Sequence, residues 1–142
     1  MTSKLWPAGA LAVCCAVAAA ASVPPPKAGA ARCTAKTLTG AYGFSVRGTN
    51  LRVGEFAIVG HFVSDGSGSV QGSAAQTVNG TISRGAITGT YTVEADCTGT
   101  ASLTATGGNK TTMNFVIVNG GADVFLLVVD PGIIESGTAK RI

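Results

Sequence analysis

The sequence predicts an all-β domain, an antiparallel eight-stranded up-and-down meander that closes into a β-barrel, with a two-sheet β-sandwich as the alternative. Three observations carry this prediction. From Leu38 onward, apolar residues alternate with polar or small ones at period two. Turn sequences interrupt these runs at a spacing of roughly 11–14 residues. No segment of ten or more residues shows helical periodicity.

The runs follow in order. "AYGFSV" puts Tyr42, Phe44 and Val46 on one face. "EFAIVGHFV" sets Phe56, Ile58, Gly60 and Phe62 against Ala57, Val59, His61 and Val63. "SVQGSAAQTV" follows and ends at Asn79-Gly80, the strongest short hairpin signal in the chain. "TIS" leads through Arg84-Gly85 into "AITGTYTV", which aligns Ile87, Gly89, Tyr91 and Val93. "TASLTAT", "TTMNFVIV", "DVFLLVV" and "IIESGTAKR" complete the series, joined by "GGNK", "NGGA" and "DPG". Most connections are two to four residues long, whereas the crossovers of a sandwich usually need longer ones. Barrel closure also removes exposed sheet edges.

Two turns share a pattern: "DGSGS" at 65–69 and "DCTGT" at 96–100, each with aspartate first and glycine fourth. A calcium loop needs several oxygen ligands, and each stretch supplies one carboxylate. Aspartate bonding nearby backbone N–H groups, with glycine taking positive φ, reads instead as a hairpin turn.

The first thirty residues have the layout of a secretory signal peptide and short linker. "MTSK" carries the charge, "LWPAGALAVCCAVAAAA" is a 17-residue apolar run, and "SVPPPKAGA" ends it with small residues. Cleavage is expected after Ala30 or after Ala21, leaving 31–142 as a single β-barrel domain, secreted or periplasmic. The run is short and broken by Pro7, so stable membrane insertion after cleavage is not expected. Loss of Lys4 and Lys27 leaves eight basic residues facing seven acidic ones. The basic residues are scattered, which argues against nucleic acid as a partner. Of the four cysteines, Cys33 and Cys97 remain, and in an oxidising compartment they are expected to pair.

"LTGAYGFSVRG", "GTYTVEADCTGTASLT", "FVIVNGGADVFLLVVDPG" and "SGTAKR" together resemble a group of small exported bacterial β-proteins of uncharacterised function. In architecture the chain also resembles lipocalin-like and allene-oxide-cyclase-like eight-stranded barrels, with Gly40-Ala41-Tyr42 opening the first strand. The resemblance implies compartment and architecture; it carries no catalytic residues across.

His61 is the only histidine, which rules out a multi-histidine metal site within one chain. No G-x-S-x-G elbow or phosphate-binding glycine loop occurs, and Asp65, Asp96, Asp123 and Asp130 fall at turns or strand ends. No catalytic residue, metal ligand or cofactor is therefore assigned. Tyr42 and Tyr91 lie on apolar faces, where each phenol needs a partner; with Phe44 and Phe115 they are the candidate ligand-binding residues. The competing reading makes the tyrosines core residues whose hydroxyls cap one end of the barrel. Strands 113–118 and 124–129 are apolar on both faces, so one row needs cover. Self-association as a homo-oligomer through these strands is expected, with Val116 and Leu126 outward. The function these readings favour is a non-catalytic exported barrel binding a small apolar ligand or a protein partner. The alternatives are a cyclase- or isomerase-like barrel enzyme and a structural surface protein.

Overall fold

The computed structural model of the protein describes residues 32–142. The expected leader, with Trp6, Cys14, Cys15 and both expected cleavage sites, lies outside the described residues. Eight strands follow one another: β1 (Gly40–Asn50), β2 (Gly54–Ser64), β3 (Ser69–Val78), β4 (Thr81–Val93), β5 (Thr98–Ala105), β6 (Lys110–Val118), β7 (Asp123–Val128) and β8 (Ile133–Arg141). Each pairs antiparallel with its chain neighbour, and β8 pairs with β1. The sheet is a closed up-and-down barrel, so the sandwich alternative falls away.

β3 and β8 coincide with the runs read from the sequence, β7 stops one residue short of its run, and the other strands differ from theirs by a few residues at the ends. Arg84-Gly85 does not break β4. The ladder to β3 runs through it by way of Arg84↔Ala75 and Gly85↔Ala74. On the other side, the Thr106 hydroxyl accepts the Ala86 N–H at 2.9 Å and continues the pairing past the end of β5. A 3-10 turn at Ala35–Leu38 precedes β1 and was not legible as a period. There the Thr37 side chain accepts the Thr34 N–H at 3.0 Å and the Thr37 N–H bonds the Thr34 carbonyl at 2.9 Å.

Closing so few strands demands sharp bends, and inward-facing glycines allow them. A methyl group at Gly72 would fall on the His61 carbonyl oxygen and stand 2.7 Å from Phe62 Cα. One at Gly99 would overlap the Phe115 ring and the Thr92 carbonyl. Gly99 thus belongs to a strand, although the D-x-x-G pattern suggested a turn. The two turns share a positive-φ residue at the second position, Gly66 at 74° and Cys97 at 70°; the fourth-position glycine takes positive φ only in the first, Gly68 at 113°. In the first turn Asp65 Oδ1 accepts N–H groups of Ser67 (2.7 Å) and Ser69 (3.0 Å). In the second, Asp96 Oδ1 accepts the Thr98 N–H at 3.0 Å and the Thr98 hydroxyl at 2.6 Å. These bonds hold both carboxyls below the ordinary carboxylate range.

Alternation sorts the interior. Tyr42, Val46, Tyr91, Met113, Phe115, Ile117, Val124, Val128 and Ala139 are buried. The outward row on the last long hairpin differs from expectation at one strand. Val116 faces out as expected, but Leu126 faces in, packed against the core, and Phe125 and Leu127 take the outside. The reason is register. Val116 pairs with Phe125 and Phe115 with Leu126, and directly paired residues share a face.

Candidate functional site

One end of the barrel is plugged. Cys33 is disulfide-bonded to Cys97 in the β4–β5 turn, and its N–H bonds the Ala95 carbonyl at 3.3 Å. This anchors the 3-10 turn across the end and buries Leu38. Both tyrosines seal the junction. Tyr91 donates its hydroxyl to the Ala35 carbonyl (3.0 Å) and accepts from the Ser64 hydroxyl (2.8 Å). Tyr42 is fully buried, donates to the Gly121 carbonyl at 2.6 Å and accepts from Arg141 Nη2 at 2.9 Å. Its ring stacks on Phe62, with centroids 5.2 Å apart. The Arg141 guanidinium lies 5.5 Å from the Tyr42 centroid and donates a second hydrogen bond, of 3.0 Å, to the Thr37 carbonyl.

Above this plug the interior is a cavity of about 610 Å³, within the size range of small-molecule pockets. Its floor is Leu38, Ser64, Tyr91 and Phe115, and Phe44, Phe56, Ile58, Phe62 and Leu126 form much of its wall. Toward the opposite end it is bordered by Asn50, Gln76, Ser83, Asn109 and Lys110, beside the β1–β2, β3–β4 and β5–β6 turns. Of the four residues read as ligand candidates, Phe44, Phe115 and Tyr91 line the cavity together. Tyr42 sits below them, outside its lining. The hydroxyls of both tyrosines are committed to capping.

One lining residue escaped the sequence reading. Glu135 belongs to the inward row of β8, with Ile133, Gly137 and Ala139, and is only 8% exposed. Its neighbour across the β1 seam is Gly48, which lacks the side chain that would otherwise press on its Cα and Cβ. Among the described residues Glu135 has no hydrogen-bond or ion-pair partner; the ion pair present, Lys140–Asp123 at 3.6 Å, lies elsewhere. Burial first, and repulsion from Asp130 second, push its carboxyl up to about 7. No group of three or more metal-ligating side chains occurs among the described residues.

A raised carboxyl fixes the sign of a pH effect. Between about 4.5 and about 7 the folded protein keeps the Glu135 proton while the unfolded chain has lost it. Stability should therefore fall as pH rises through that window and level off above it. The contributions of Asp65 and Asp96, whose pKa values are lowered, are lost only below the ordinary carboxylate range. Denaturation midpoints measured across the window should decline in the wild type and stay flat in Glu135→Gln. A wild-type profile as flat as the variant's would contradict the burial of this carboxyl.

No protein-family model matches the chain, and no curated protein matches it. Solved structures do. A redesigned β-barrel, mFAP1, bound to DFHBI is 19% identical with a TM-score of 0.56, covering 75% of this chain and 97% of its own. A de novo designed fluorescence-activating β-barrel is 13% identical with a TM-score of 0.57, covering 76% of this chain and 96% of its own. At this identity the similarity establishes the fold: an eight-stranded antiparallel barrel like those designs.

Proposed function

We propose that the protein is an exported, non-catalytic β-barrel that holds a small, largely apolar molecule in its interior. The observation that carries this reading is the cavity of about 610 Å³, walled by aromatic and aliphatic side chains and plugged at one end. Barrels of the same fold that hold DFHBI lend it support. Export to an extracytoplasmic compartment is supported by the layout of residues 1–30 and by the Cys33–Cys97 bond. No helix among the described residues is long and apolar enough to cross a membrane. Native mass spectrometry of protein recovered from its own host tests the reading, with N-terminal sequencing of the same sample. The expected result is a chain beginning between Ser22 and Ala31 that carries an additional small-molecule mass. A ligand-free chain that also fails to take up Nile red would sink the binding role.

The same reading includes self-association through the outer faces of β6 and β7. Val116, Phe125, Leu127 and Val129 are 43–56% exposed there, and Ile134 on β8 extends the row. Val116→Lys combined with Phe125→Lys should yield monomer by light scattering and leave the interior untouched. A wild-type protein monomeric at micromolar concentration would overturn this part alone. Acid–base catalysis on a substrate held in the cavity is the second reading, and the observation that favours it is a carboxyl, Glu135, in the cavity lining with no protein partner, its pKa raised by burial.

A further inference from the structure

We propose that the barrel cavity selects an apolar amine, with Glu135 as the counter-ion of its protonated nitrogen. The inference rests on the cavity-binding reading and names the chemical class of its ligand.

Glu135 is more than nine-tenths buried, borders the cavity and has no partner among the described residues. Its carboxylate oxygens are bonded by no protein group and stay open to the cavity, so a ligand there can reach them. The fold does not need it for closure, because the β8 ladder to β1 and β7 is made by backbone. The cavity it borders is otherwise lined at that end by the neutral polar groups Asn50, Gln76 and Ser83, and along its wall by phenylalanines. A protonated amine entering on an apolar body would supply the missing charge-assisted hydrogen bonds. Phe56, which pairs with Gly48 on the far side of β1 from Glu135, is the aromatic wall residue placed to meet such a cation. A carboxylate ligand would meet an unscreened like charge at the same point, and a neutral alcohol would gain only an ordinary hydrogen bond.

Other charges near Glu135 shape the response to pH. Asp130, in the β7–β8 turn, is acidic and favours a cation. Arg47 and Glu55 border a shallow depression that Glu135 also touches, and they offset each other in sign. Arg84 and Lys110 border the cavity itself but are exposed, and neither pairs with Glu135. Amine binding should therefore strengthen as pH rises through about 7, as the carboxyl gives up its proton.

Three ligands of one chain length separate the possibilities: octylamine, 1-octanol and octanoate, each measured by displacement of Nile red from the full mature protein. The expected order is amine, alcohol, octanoate, with the amine ahead of the alcohol by about tenfold or more at pH 8. In Glu135→Gln the amine should lose that advantage while the alcohol still binds. Equal binding of amine and alcohol by the wild type would overturn the amine proposal and leave the cavity reading intact. An amine preference that persists in Glu135→Gln would overturn the role of Glu135. Failure to take up the dye or any of the three ligands would overturn the cavity reading itself.

Discussion

Replacing Cys33 and Cys97 together by serine should destabilise the barrel by about 4 kcal/mol, the loop-closure value for a bond joining residues 64 apart in sequence. That is a large share of the net stability of a domain this size. The bond also anchors the plug. Without it, the 3-10 turn at Ala35–Leu38 keeps Thr37–Arg141 and Ala35–Tyr91 as its side-chain ties to the barrel. Denaturant unfolding of the oxidised wild type and the double variant checks the magnitude, and near-equal midpoints would contradict it. Free thiols in the freshly isolated native protein would deny the bond.

Tyr42→Ala should cost about 3–5 kcal/mol, the range for emptying a buried aromatic site. Tyr42 is completely enclosed, and its removal strips the stacked face from Phe62. It also leaves the Gly121 carbonyl and the Arg141 guanidinium short of a partner. Tyr42→Phe separates the two parts: it keeps the ring and loses the hydroxyl, and should cost about 1–3 kcal/mol. Because Tyr42 lies below the cavity, Tyr42→Phe should leave dye uptake unchanged. A loss of binding without loss of stability would return Tyr42 to the ligand site.

Much of the barrel was legible because period-two alternation and turn chemistry are local signals. The run 69–78 is bounded by "DGSG" and "NG", and it became β3 with the same ends. The plug was not legible, since four residues of 3-10 turn carry no period. The facing of Leu126 was recoverable. Four residues lie between Val118 and its partner Asp123, so even-numbered positions on β6 pair with odd-numbered ones on β7. Val116 therefore shares a face with Phe125. Glu135 was hidden for a different reason. In "IIESGTAKR" both alternate rows mix apolar and polar residues, so alternation alone gives no facing. Only closure against β1, which sets Ala139 opposite Phe44 and Glu135 opposite Gly48, turns the carboxylate inward.

Seven of the eight ladders join neighbours in the chain, and the eighth joins β1 to β8, where Tyr42 and Arg141 are 99 residues apart. Bringing those ends together costs roughly 3 kcal/mol more in chain entropy than forming a short hairpin. On loop-closure cost alone, the seam is the contact expected to form last, after an open sheet with two bare edges. The link from Cys33, just ahead of β1, to the turn midway round the ring shortens the path between those edges. Reduction would do more than loosen the finished barrel. It would prolong an open sheet whose free edges can pair with a second chain as readily as with each other, and exchanged barrels would follow.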